Sequence, residues 1–168
     1  MAFGLPVVSL VDTPGMMVGP EAEATALVRH TSRLLVTGAA LRVPLVAVVL
    51  RRGYGLGAQA MVAGSLHEPL LTVAWPAAEL GPMGLEGAVK LGFRRELEAI
   101  TDETERKRRV RELTALAEQN AKALNAATLF ELDDVIDPAQ TRRLIASTLG
   151  AAASTPEPAH GRSFVDTW

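Results

Sequence analysis

The residues of this chain best suited to chemistry are three closely spaced glycines, Gly53, Gly55 and Gly57. They interrupt an apolar run, Val46 to Leu50, and precede small, helix-compatible residues that reach Met61. This order predicts a buried strand, a tight turn and a helix N-terminus. Such a turn brings bare backbone N–H groups to the carboxyl edge of a sheet. Glycine lets a ligand or another chain segment approach closely, and the helix dipole favours negative charge there. A phosphate, an oxyanion or plain close packing of strand on helix would each use the same glycines. Asp12-Thr-Pro-Gly15, which ends an earlier apolar run, is either an ordinary strand-ending turn or a second wall of the same site. Glu79 invites an acid–base role, but reads better as a structural residue that positions a helix.

Two phosphate chemistries can be tested on the sequence. Gly55-Leu-Gly57-Ala-Gln-Ala60 matches the G-x-G-x-x-A form of a dinucleotide fingerprint. That fingerprint wants an acidic residue at the end of the next strand, about 20 residues on. Here the next strand closes on Trp75-Pro76, with Glu79 beyond it, so a dinucleotide site is the remote alternative. Leu10-Val-Asp12-Thr-Pro-Gly15 looks like a GTPase switch, yet no G-x-x-x-x-G-K-[ST] loop occurs in the chain. An oxyanion hole is the third chemistry. Backbone N–H groups near Leu56, Gly57 and Ala58 would polarise a carbonyl, which needs no Ser, His or Cys at the turn.

Composition narrows the field. The chain has 168 residues, 48% of them hydrophobic and 21% charged, which predicts one folded domain. A net charge of −2 offers no whole-chain attraction to nucleic acid or an anionic membrane. Without cysteine there is no disulfide or thiolate nucleophile, and the three histidines, His30, His67 and His160, lack metal-ligand spacing. No metal is expected. No apolar run is long enough to span a bilayer and no signal-peptide pattern opens the chain, so a cytoplasmic protein is the default expectation. Strand-like sequence starts almost at once, as it would in a chain cut into a larger fold.

The elements that must position these groups follow in order. Leu5 to Val11 and Leu45 to Leu50 are nearly all apolar, the pattern of strands covered on both faces. Between them one helix is expected after Gly19-Pro20, with Leu27, Thr31, Leu34, Leu35 and Gly38 on its buried stripe and His30 beside it in a structural or surface role. A helix after the glycine turn should reach about Gly64, and a third strand should run from Leu70 to Trp75. Short helices are expected over Ala77 to Leu80 and Gly84 to Leu91. A longer one should be capped by Asp102 with Glu105 and carry Val110, Leu113, Leu116, Ala117, Ala121 and Leu124 inward. Its basic run, Arg106 to Arg109 with Arg111, is expected outside, paired with upstream acids rather than with an acidic partner. Leu129 to Ile136 reads as a strand, and Asp137-Pro138 starts a helix ending near Gly150. Residues 1–150 form the domain, and 151–168, rich in Ala, Ser, Thr and Pro, are expected to be a flexible tail. Alternation of strands and helices makes this an α/β protein.

Six blocks, in this order, carry a family resemblance. They are Leu-Val-Asp12-Thr-Pro14-Gly15-Met16; Arg29-His30; Val43-Pro44; Arg51-Arg-Gly-Tyr54-Gly55; Ala74-Trp75-Pro76-x-x-Glu79 with Met83-Gly84 and Gly87-Ala88-Val89; and Asp133-Asp-Val-Ile136-Asp137-Pro138 with Thr141-Arg142. From about Ala2 to Gly150 the chain resembles the C-terminal half of the carboxyltransferase β subunit of biotin-dependent acyl-CoA carboxylases, the propionyl- and acetyl-CoA carboxylase type. The resemblance implies a crotonase-like fold, a β-β-α spiral in a single domain. It also implies transfer of a carboxyl group from N-carboxybiotin, held on a separate carrier, to the α-carbon of an acyl-CoA.

On that resemblance the backbone N–H groups of Leu56 and Gly57 form the oxyanion hole for the ureido oxygen of biotin. Gly55, Ala58, Pro14 and Gly15 would contact the cofactor, and Gln59 would stand where acyl-chain selectivity is set. The family often has Gly-Gly-Ala where this chain has Gly55-Leu56-Gly57, and often an acid where it has Gln59. The implied partners are an N-terminal carboxyltransferase half, which binds the acyl-CoA and holds the second oxyanion hole, and the biotin carrier and biotin carboxylase components. No part of that N-terminal half is in this chain, so it should be inactive or nearly so alone. A non-catalytic, oligomer-forming assembly module is the alternative, and homo-oligomers are expected on either reading.

Overall fold

The computed structural model describes residues 3–153, and the expected tail beyond them lies outside the described residues. Five parallel strands form the framework. β1 (Val7–Thr13), β2 (Leu45–Tyr54), β3 (Leu71–Ala74) and β5 (Asp134–Val135) lie side by side in that order, and β4 (Glu79–Gly81) pairs with the far end of β2. Among the described residues the helices are α1 (Pro20–Ala24), α2 (Leu27–Ala39), α3 (Gly55–Met61), α4 (Leu85–Gly92), α5 (Arg94–Ala99), α6 (Glu103–Asn120), α7 (Ala123–Thr128) and α8 (Thr141–Ala152); α3 and α7 lie against one face of the sheet and α8 against the other.

β2 is the axis of the molecule. Its first five residues, Leu45 to Val49, are all buried, because β1 flanks them on one side and β3 on the other. Their side chains feed two cores. Val11, Ala47, Val49, Ala58 and Val62 pack on one face, and Val48, Val73 and Ile136 pack on the other with Leu144 and Ile145 of α8. A third, separate cluster joins Val89, Leu97 and Leu113 of α4, α5 and α6.

The structure departs from the sequence expectations in several places. The segment Ala77 to Leu80 is not a helix. After Trp75 the chain makes one turn and enters β4, whose pairing of Arg52 with Glu79, Gly53 with Leu80 and Tyr54 with Gly81 satisfies backbone groups that a single short helical turn would leave open. Glu79 therefore positions a strand. Expected as one helix, the segment after Gly19 is two, α1 and α2, broken where Ala26 adopts a left-handed backbone (φ 59°). β2 runs through Arg51-Arg52-Gly53 to Tyr54, so Gly53 is a strand residue and the turn is confined to Gly55. Within Leu129 to Ile136 only Asp134 and Val135 are strand, since Phe130 turns the chain with φ 60°. Leu116 and Leu124 are exposed, since Val110, Leu113 and Ala117 take the inward face of α6 and Leu124 lies on the separate helix α7. Leu34, expected on the buried stripe of α2, is 47% exposed as well, and α3 ends at Met61 rather than near Gly64.

Other expectations agree with the structure. Asp102 caps α6 through Glu105 N–H (2.7 Å), and Asp137 accepts from Ala139 N–H (2.8 Å) at the short turn before α8. The basic run is largely solvated: Lys107 pairs with Glu103, Arg108 with Glu105 and Glu112, and Arg109 with Glu96, while Arg106 donates instead to the Ile100 carbonyl. His30 is exposed on α2. The tail expectation fails at its start, where residues 151–152 belong to α8.

Candidate functional site

Two strand ends build the site. β1 ends at Thr13 and β2 at Tyr54, and the bulge in their register after Val11 brings Thr13 opposite Gly53. Asp12 ties the two ends together. Its carboxylate pairs with Arg51 (3.1 Å) and accepts the Arg52 N–H (3.2 Å), and the Arg51 hydrogen bond holds the carboxyl below the usual carboxylate range. Gly15, with φ +102°, then lets the chain fold back, and its N–H donates to Thr13 Oγ1 (3.2 Å). Met16 is held next, its sulfur accepting from Thr31 of α2 (3.4 Å).

The second turn stands against the first. Gly55 has φ +56°, and a Cβ there would lie 2.6 Å from the carbonyl oxygen of Pro82. Only glycine fits that position without moving the backbone. Two residues on, a Cβ at Gly57 would come within 3.1 Å of Gly15 Cα and Thr13 Oγ1, so helix α3 and the loop after β1 touch backbone to backbone. Gly38 of α2 performs the same service at the other end of α3, where a Cβ would lie 2.7 Å from Ala63 Cα. Close contacts thus fix α3 at both ends.

The geometry sorts the expected site residues. Gly15, Gly55 and Gly57 come together at the meeting of the two turns, with Pro14 exposed beside them. Leu56 is 48% exposed on the first turn of α3, and Gln59 is exposed one turn further. Ala58 is different: its side chain is buried in the core with Val11 and Val49, which leaves only its backbone for a ligand. Leu56 and Gly57 are the second and third residues of α3, whose N–H groups have no acceptor within the helix, and no side chain caps it. Chemically, that is a pair of donors suited to one oxygen that gains negative charge.

One contact at this site has no counterpart in the sequence reading. The Tyr54 hydroxyl donates to Glu79 Oε2 at 2.6 Å, linking the last residue of β2 to the first of β4. Burial, then the Glu79 hydrogen bond, pushes the Tyr54 hydroxyl well above the ordinary tyrosine range. The only legible hint was that Tyr54, the one tyrosine of the chain, stands inside the glycine motif. Among the described residues no cluster of three or more His, Asp or Glu is placed to hold a metal ion.

Comparison with known proteins places this geometry in a family. The carboxyl transferase domain model matches residues 1–164. The chain belongs to the carboxyltransferase family. It is 40% identical over 151 residues to the methylmalonyl-CoA carboxyltransferase 12S subunit of Propionibacterium freudenreichii subsp. shermanii, a match covering 88% of this chain and 28% of that one. A crystal structure of transcarboxylase 12S, described as a hexamer binding substrate at a multienzyme core, superposes with a TM-score of 0.76 at 34% identity, over 95% of this chain and 30% of that one. A single-chain, multi-domain long-chain acyl-CoA carboxylase superposes with a TM-score of 0.78 at 56% identity, over 88% of this chain and 14% of that one. The fold of this carboxyltransferase domain is therefore crotonase-like, as the resemblance implied. The chain spans less than a third of the length of the curated relatives it matches.

Proposed function

We propose that this chain supplies the biotin-facing half of an acyl-CoA carboxyltransferase site. The observation that carries the reading is the Gly55 turn, where the N–H groups of Leu56 and Gly57 stand uncapped at the end of the central strand. Two adjacent backbone donors left uncapped at one helix start suit a single oxygen such as the ureido oxygen of biotin, so the donor set fits the group. Carboxybiotin, brought by a separate carrier, would supply the carboxyl group and afterwards a base for the acyl α-carbon. The chain's own residues orient and stabilise. Leu56 and Gly57 would hold the oxygen on which charge grows, Gly55 would let the ring approach the backbone, and Pro14 and Gly15 would close the far side. Backbone donors need no reorganisation as charge develops, which is where such a site gains its rate.

The acyl-CoA thioester and its own oxyanion donors belong, on this reading, to an N-terminal carboxyltransferase half contributed by another chain. The biotin carrier and biotin carboxylase would complete the assembly. A long aliphatic acyl chain is the favoured substrate class. Its support is the 56% identity to the long-chain enzyme and the exposed apolar side chains of Leu56 at the start of α3 and of Met17 and Met83 in the flanking loops, together with an uncharged Gln59.

The test is reconstitution. Mixed with a separately produced N-terminal half, the chain is expected to support decarboxylation of a long-chain alkylmalonyl-CoA, and more slowly of malonyl- or methylmalonyl-CoA, in the presence of free biotin. An assembled complex with no turnover in any such mixture would overturn the catalytic reading in favour of an assembly module.

A further inference from the structure

We propose that the Tyr54–Glu79 hydrogen bond is the pin that sets the first turn of α3, making Tyr54 and Glu79 positioning residues for the donors of Leu56 and Gly57. The proposal rests on the reading of that turn as an oxyanion site, but its structural half can be measured without it.

Four observations converge on this pair. Tyr54 is both the last residue of β2 and the N-cap of α3, so its backbone sets the angle at which the helix leaves the strand. Its carbonyl oxygen lies 3.4 Å from where a Gly15 Cβ would sit, so Tyr54 stands beside the turn after β1 as well as at the head of α3. Tyr54 is 4% exposed, its ring lies beside Gly81, and its hydroxyl reaches Glu79 at 2.6 Å. β4 itself cannot drift. On its other side Leu80 N–H donates to Ala121 (2.7 Å) and Ala123 N–H donates to Ala78 (2.9 Å), anchoring it to the junction of α6 and α7.

The pin thus joins an immobile strand to a helix that lacks a capping side chain. α3 is only seven residues long, too short to stabilise its own first turn by propagation. A hydroxyl donating to a carboxylate makes a stronger bond than a neutral pair, and Glu79 accepts from a buried hydroxyl that would otherwise have no partner. This assigns Glu79 a different task from acid–base chemistry, since its Oε2 is committed to Tyr54. Arg52 and Glu118 are the other charged groups whose fields reach the Tyr54 hydroxyl.

The chain has one tyrosine, so its ionisation can be followed directly by near-ultraviolet absorbance of tyrosinate. In the parent chain, tyrosinate should appear only above the ordinary value of 10.0. Glu79→Ala should bring the titration back toward that value, and Glu79→Gln, which keeps an acceptor but no charge, should fall between. Because the folded-state value is raised, the contact stabilises the fold fully below the unfolded value, and its contribution falls as pH climbs beyond it. A titration identical in parent and Glu79→Ala would overturn the bond as the cause.

Positioning is read by amide hydrogen exchange at Ala58 and Gln59, the first amides of α3 with acceptors inside the helix. Glu79→Ala and Tyr54→Phe should raise their exchange roughly tenfold or more, with the Val46 to Val49 amides unchanged, and Glu79→Gln should restore most of the protection. If Tyr54→Phe fails to fold, the two Glu79 variants carry the comparison alone. Unchanged exchange at Ala58 and Gln59 in Glu79→Ala would overturn the proposal. In the reconstituted complex the same variants should lower kcat more than they raise KM for biotin, and the reverse split would also count against it. Loss of turnover in the parent mixture would sink the carboxyltransferase reading while the exchange result still decides the pin.

Discussion

β1 and β2 are built from nearly the same residues and meet fates that differ sharply. Val-Val-Ser-Leu-Val pairs with Leu-Val-Ala-Val-Val one to one, from Val7 opposite Leu45 to Val11 opposite Val49. Leu45 to Val49 are buried without exception, whereas Val7, Val8 and Leu10 are 38–52% exposed. The difference is position in the strand order. β2 has a neighbour on each side and helices over both faces; β1 is an edge. A run with no alternation is the mark of a strand meant to be covered all round, and β1 carries that mark without the cover. Apolar content reports what a strand is built to meet, and only topology reports whether it has met it.

The turns that follow the two strands offer the largest test of that asymmetry. Gly55→Ala combines a left-handed backbone with a Cβ 2.6 Å from a main-chain oxygen, and should cost about 3 kcal/mol or more. Gly15→Ala bears the strained φ but meets Tyr54 at an ordinary 3.4 Å, and about 1–2 kcal/mol is expected. Urea unfolding of both variants reads the gap, and equal losses would show that the turn after β1 is as tightly enclosed as the one after β2. The strands themselves come next. Val48→Ala opens a cavity in the fully enclosed core and should cost about 2 kcal/mol, while Val8→Ala at the exposed edge should cost less than about 0.5 kcal/mol.

What was legible in the sequence follows the same division between local and distant causes. Three of the five strands announced themselves as apolar runs, and Gly55 and the Asp102 cap were readable because each depends on its immediate neighbours. β4 was not, since Ala-Ala-Glu-Leu is good helix sequence and becomes a strand only by pairing with Arg52 to Tyr54, more than twenty residues away. The break at Ala26 was equally silent: nothing about an alanine signals a left-handed backbone. At the site, the meeting of Gly57 with Gly15 could be suspected from two motifs of small residues, but the contact is between backbones and leaves no pattern to count. The Tyr54–Glu79 pin spans 25 residues and two elements, one of them the strand misread as a helix. A wrong element assignment therefore hid the partner as well.

The smallest expected change in stability carries the clearest statement about β1. Its exposed side chains lie close to Leu5 and Phe3, which are also exposed, giving the edge a continuous apolar stretch that water does not favour. The chain is expected to self-associate, as a dimer, trimer or hexamer, so light scattering at high concentration should report more than the mass of one chain. Leu10→Glu places a charge on the open edge, where it stays solvated in the monomer and is desolvated in any assembly that covers β1. It should shift the scattering mass toward a single chain while moving the unfolding midpoint little, because Leu10 is already 52% exposed. A parent chain that is monomeric at high concentration would mean that the bare edge is tolerated. A Leu10→Glu variant that still assembles would move the interface away from β1, to the exposed residues Val28 and Leu34 of α2.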